Sequence, residues 1–280
     1  MRWSLFFLSA CLSLQVHTYP VSEPSSSDID PLPSNVTFSS NDRRSSIALL
    51  KRAGTLVCGV SLRDAVRQDC VDRQGIQQFT FAGAATGTII PRQMTVAAAH
   101  NPTNAVQCEH ALELQVVQTV LLQSHFCDVL TQLIAAEHAA GHDENNNAAH
   151  IMAGIVGAIN GPENLFFLQT DVNSAKRTYV QKAVASNAAA PALSVASTPT
   201  NSQAFADVHQ FIHNAAIQQG STDVAHAADV AIAAVIHLAT VLQPQPAALH
   251  DALAVYNGHF EAGLTVTHTW NRVLAATVVA

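Results

Sequence analysis

The chain has 280 residues, with 13 Lys and Arg against 20 Asp and Glu, a formal net charge of −7. That acidic balance repels phosphate backbones and argues against a broad nucleic-acid-binding surface, while leaving room for a small cleft with local positive charge. Apolar residues make up 49% and charged ones 12%, enough to build the core of one large or two small domains.

Residues 1–18 read as a secretory signal peptide, with Arg2 as the positive start and an apolar core from Leu5 to Leu14. After it no stretch is read as long enough to span a membrane, so no membrane anchor is expected. Residues 19–52 are rich in Ser, Pro, Asn and Asp and predict a disordered leader. This leader holds the sequon Asn35-Val36-Thr37, which makes Asn35 a glycosylation candidate. It ends at Lys51-Arg52, a dibasic candidate processing site that would make it a propeptide. Beyond Arg52 stand 228 residues with 8 Lys and Arg, 16 Asp and Glu and 13 of the 14 His. The charge of this part therefore changes in a mildly acidic compartment.

Cys11 falls in the signal segment. Cys58, Cys70, Cys108 and Cys127 remain, and four cysteines in a secreted chain predict two disulfides with three pairings open. Cys127 is one candidate partner for Cys108, a bridge that would fix the start of a helix. The spacings do not match a short CxxC metal site.

Taken in order, residues 79–83 and 86–90 predict a hairpin around Gly83-Ala84-Ala85. Asn101-Pro102 breaks the chain ahead of Glu109-His110. Residues 111–123 form an amphipathic helix, 129–140 a second, and 148–159 a third that ends at Asn160-Gly161-Pro162. Residues 187–202 read as a linker. Four helical stretches follow, at 203–218, 222–242, 246–256 and 264–279, rich in alanine and poor in charge. The expected organisation is a disulfide-bonded domain over 53–186, the linker, and a helical region over 203–280.

Two polar islands carry candidate chemistry. The first is Glu109-His110, where an acid that can hold a metal sits beside an imidazole able to take a proton from water. The second runs from Asn160 to Lys176 and places Asn164 and Asn173 on either side of Leu165, Phe166, Phe167 and Leu168.

Together, Glu109-His110 with Leu112-Glu113-Leu114-Gln115, then Asn160-Gly161, Asn164-Leu165, Leu168, Asn173 and Lys176, resemble the HNH-type (ββα-metal, His-Me finger) nuclease motif in its fungal secreted form. The resemblance spans about 101–182 and implies a mainly α protein. A small α+β, ββα-metal-like N-terminal region with inserted helices would precede the alanine-rich helical bundle. It implies Mg²⁺ or Mn²⁺ on Glu109 and Asn173, His110 as general base and Asn164 orienting the histidine through its loop. Lys176 would face the substrate phosphate, with Arg177 beside it. The motif usually has Asp where this chain has Glu109, and 54 positions separate His110 from Asn164.

His138, His142 and His150 form a secondary zinc candidate, with Asp143 and Glu144 nearby. His209 and His213 are four apart and read as a surface pair. No Gly-x-Ser-x-Gly elbow, dinucleotide fingerprint or P-loop is present in the sequence. Two expectations follow: a secreted metal-dependent nuclease acting on nucleic acid, or a non-enzymatic secreted interaction protein (a virulence effector) that keeps a degenerate nuclease-like fold and binds a protein target.

Overall fold

The computed structural model describes residues 55–64, 70, 77–81, 87–91, 106–142, 147–186, 188–194 and 199–279, with backbone alone for 77–81, 87–91, 106 and 199–202. The signal segment, the leader, Asn35, Lys51 and Arg52 lie outside the described residues.

The protein is mainly α with small sheets. A short hairpin opens it, β1 (Leu56–Val57) and β2 (Val60–Ser61). Val57 pairs with Val60, so Cys58-Gly59 is a two-residue turn, and both have positive φ, 50° and 81°. Such turns match the right-handed strand twist, and Gly59 meets the second requirement without steric cost.

A four-stranded sheet follows, from β3 (Gln77–Phe81), β4 (Gly87–Pro91), β5 (Val106–His110) and β6 (Leu165–Gln169), in the order β4-β3-β6-β5. β3 and β4 are the antiparallel hairpin expected from sequence; β6 runs parallel to β3 and antiparallel to β5. β6 is central because Leu165-Phe166-Phe167-Leu168 is apolar on both faces and all four residues are buried.

Between β5 and β6 lie α1 (Leu114–Gln123), α2 (Phe126–Ala139), α3 (Ala148–Ile151), α4 (Ala153–Ile159) and a 3₁₀ turn, Pro162–Asn164. The expected single helix over 148–159 is divided at Met152. After β6 come α5 (Thr170–Ala185), β7 (Ala192–Ser194), α6 (Pro199–Ile212), α7 (Ala215–Val241), α8 (Ala247–Glu261), α9 (Val266–Leu274) and β8 (Thr277–Val279).

The C-terminal helices share the core of the N-terminal region. Phe126, Leu130, Phe166 and Tyr179 belong to the same buried cluster as Phe211, Ile232, Leu253 and Trp270. Within the expected linker, β7 pairs in parallel with β8, and α6 begins at Pro199. Tyr179 donates to the Ala276 carbonyl at 3.0 Å, tying α5 to the C-terminal end, and burial pushes its phenol up to about 12.

α7 buries the stripe Ile217, Val224, Ala225, Ala228, Ile232, Val235 and Ala239, spaced at helical intervals. By length and composition it is a candidate membrane span, contrary to the expectation that no such stretch exists, although a third of its apolar window is buried inside the protein. The Asp229 carboxylate accepts from the Val266 and Thr267 amides at 2.7 and 2.9 Å, so α7 caps α9. Trp270 then donates its indole N–H to Ser221 at 3.0 Å across the same interface.

His209 and His213 are a structural pair. Their rings stack at 3.9 Å, and both nitrogens of His213 lie 2.8 Å from backbone carbonyls, those of His209 and Leu274. Burial, then the neighbouring His213, lowers the proton affinity of His209.

Candidate functional site: a polar cleft beside the acid-histidine strand

Side chains alternate across a strand, so β5 sends Gln107 and Glu109 to one face and Cys108 and His110 to the other. On the first face lies a cleft of about 230 Å³. β5 contributes Gln107 and Glu109, and the start of α1 contributes Glu113, Leu114, Gln115 and Gln118. One face of α5 adds Asn173, Ser174 and Arg177, three and four residues apart, and the opening hairpin adds Thr55 and Arg63.

Three sequence candidates meet here: Glu109, Asn173 and Arg177. The Glu109 carboxylate is 2.9 Å from the Arg63 guanidinium, and its side chain is only 8% exposed. Asn173 donates its amide N–H to Gln107 Oε1 at 2.9 Å. The carbonyl of Arg177 accepts from Gln115 Nε2 at 2.8 Å, lacing α1 to α5.

His110, Asn164 and Lys176 are not part of the cleft lining. His110 is 1% exposed, and its Nε2 lies 2.9 Å from Asn160 Oδ1. Asn160 also donates to the carbonyls of Leu62 and Val156 and accepts from the Asp64 amide, which fixes its amide orientation. Nε2 of His110 therefore carries the proton, and Nδ1 is buried with no hydrogen-bond partner. Burial, reinforced by the positive charge of Arg63, pushes this imidazole down to about 4; the Asn160 bond and Glu109 only partly oppose it.

Asn164 is fully buried and serves the backbone. Its Oδ1 accepts from the Leu112 amide at 2.7 Å, its Nδ2 donates to Ile159 at 2.8 Å, and its own carbonyl accepts from Ala111 at 2.7 Å. These bonds take up residues 111–112, which is why α1 starts at Leu114 and not at Ala111 as expected. A carboxamide suits the position because it satisfies both a buried N–H and a buried C=O.

Lys176, expected to face a substrate phosphate, is an internal cation outside the cleft lining. It is 0% exposed, lies 2.9 Å from Glu113 Oε1, donates to the His110 carbonyl, and sits over the Phe211 ring at 5.6 Å. Glu113, at the N-cap of α1, makes no side-chain capping bond; its carboxylate instead pairs with Lys176.

The disulfides are Cys58–Cys127 and Cys70–Cys108, so Cys108 does not pair with Cys127. One bridge fastens the opening hairpin to α2 and so carries Arg63 toward β5. The other ends on β5 itself, next to Glu109.

The residues fit a divalent metal poorly. Glu109 already holds a guanidinium, and Asn173 adds only one neutral oxygen. Among the described residues no group of three or more His, Cys, Asp or Glu is placed to hold an ion. In the secondary zinc candidate, His142 pairs with Glu137 at 2.7 Å, and Asp143 and Glu144 lie outside the described residues.

Sequence reasoning missed Arg63, Gln107, Gln115 and Gln118 as cleft residues. The alternation in Gln107-Cys108-Glu109 and the i, i+3 spacing of Gln115 and Gln118 were the available signals. Arg63 had none, because it is placed by long-range contacts, the Cys58–Cys127 bridge and the Asn160 bonds to its neighbours Leu62 and Asp64. No protein-family model, curated protein or solved structure matches the chain.

The His110 environment has a measurable consequence. Its folded value of about 4 lies below the unfolded value of about 6.5, so the unfolded chain binds more protons between these limits. The contribution of His110 is complete above pH 6.5 and is lost as pH falls through 4, a span of roughly 3 kcal/mol. Urea unfolding at pH 7 and pH 4 checks this: His110→Gln should show a smaller acid loss than wild type. Equal losses would mean that His110 is not buried as the neutral ring.

Proposed function

We propose that this chain is a secreted, non-catalytic binding protein that acts through the polar cleft. The position of His110 carries the reading. The group that would activate water is buried on the opposite face of β5, bonded to Asn160 and poor at taking a proton, while the cleft lies on the Glu109 face. General-base catalysis needs the base within hydrogen-bond reach of the water it activates. Glu109 is bound to Arg63 and Lys176 to Glu113, which withdraws a carboxylate and a cation that phosphodiester cleavage would use. Two disulfides suit an oxidising, extracellular-type environment, in keeping with the signal-like N-terminus.

One observation favours the rival reading, metal-dependent hydrolysis of nucleic acid: Glu109, Asn173 and Arg177 share one cleft. Plasmid DNA and RNA incubated with the full chain in Mg²⁺, Mn²⁺ or EDTA separate the two. The expected result is no metal-dependent cleavage, and the same for His110→Ala. Cleavage by wild type that requires metal and disappears in His110→Ala would establish the nuclease instead.

A further inference from the structure

The ligand of the cleft can be narrowed from what its lining offers, given the non-catalytic reading above. Of the eleven lining residues only Leu114 is apolar, so the cleft gives little purchase to an apolar body. Its charges are largely matched internally, Arg63 by Glu109 and Glu113 by Lys176. Arg177 is exposed, lines the cleft, and has no ion-pair partner among the described residues.

Three of the four lining carboxamides donate from their N–H groups, and the fourth, Gln107, accepts through its oxygen. Gln115 donates its N–H to the Arg177 carbonyl and Gln118 to the Leu56 carbonyl at 3.2 Å, while Asn173 donates to Gln107. Each donation leaves that amide's own oxygen as an acceptor. The lining therefore presents amide oxygens as acceptors, with remaining amide N–H donors beside them, around a single unmatched guanidinium. Hydroxyl groups satisfy such acceptors, and a guanidinium pairs bidentately with a carboxylate or phosphate.

We propose that the cleft binds a small anionic sugar, with its one acidic group on Arg177 and its ring hydroxyls donating to the amide oxygens of Gln115, Gln118 and Asn173. A single unmatched cation suits one anionic group and not a polyanionic strand, consistent with the acidic balance of the chain. Carboxylate and phosphate forms share this chemistry.

Titration calorimetry of the full chain with D-glucuronate, D-galacturonate, glucose 1-phosphate and glucose tests the inference and tells the two acidic groups apart. The expected result is saturable binding of at least one anionic sugar and none of glucose. Arg177→Gln should weaken that binding by roughly tenfold or more. Lys182→Gln, which removes an exposed positive charge from the same helix away from the cleft, should leave it unchanged. Binding of none of the four, equal binding of glucose, or affinity unaltered in Arg177→Gln would overturn the assignment. The nucleic-acid cleavage assay is read independently, so loss of the sugar assignment is distinguishable from loss of the non-catalytic reading.

Discussion

Replacing Lys176 with alanine is expected to destabilise the protein by roughly 3–5 kcal/mol, because it leaves a partner charge without compensation in a largely desolvated place. Lys176 is completely buried and Glu113 only 15% exposed, so water cannot readily replace the lost ammonium. The same substitution strips the His110 carbonyl of its donor and the Phe211 ring of its cation. Lys176→Met combined with Glu113→Gln removes both charges while keeping volume, and should recover a large part of the loss. Urea midpoints of the three proteins decide it. A loss below about 1 kcal/mol for Lys176→Ala would place the pair with solvated surface ion pairs.

The second large effect is expected from the Cys58–Cys127 bridge, which spans 69 positions. Chain-entropy reasoning assigns a loop of that size about 4 kcal/mol of stabilisation, acting on the unfolded chain. Cys58→Ser with Cys127→Ser should lower the unfolding free energy by that order without leaving a free thiol. Anionic-sugar binding should weaken as well, since the hairpin that supplies Thr55 and Arg63 to the cleft would lose its covalent tether to α2. Unfolding and calorimetry of the double variant read both effects. An unchanged midpoint would show that packing of Val57 and Leu62, with the Asn160 and Glu109 bonds to residues 62–64, holds the hairpin in place without the bridge.

Of the residues singled out by the resemblance to the HNH-type motif, Glu109, Asn173 and Arg177 line the cleft, while His110, Asn164 and Lys176 are buried outside its lining. Asn164 holds the backbone after His110 through buried bonds, and Asn160 supplies the side-chain partner of the imidazole. Lys176, read as a phosphate contact, is an internal cation. Glu109, Asn173 and Arg177 do share a cleft, yet Glu109 is held by an arginine on which no motif drew attention.

What the sequence determined by itself is mostly local. The hairpin at 77–91, the apolar run that became the central strand and the helical stripes of α1 and α7 follow from side-chain period and turn residues, which act within a few positions. An even cysteine count pointed to two bridges, though three pairings were open to it. Tertiary structure alone decided which cysteines met, that the C-terminal helices share one core with the sheet, and on which face of β5 the cleft lies. The reason is physical. Alternation along a strand separates Glu109 from His110 whatever their adjacency in the chain, and only packing determines which side is filled by Asn160 and which is left open as a cleft lined by Arg177.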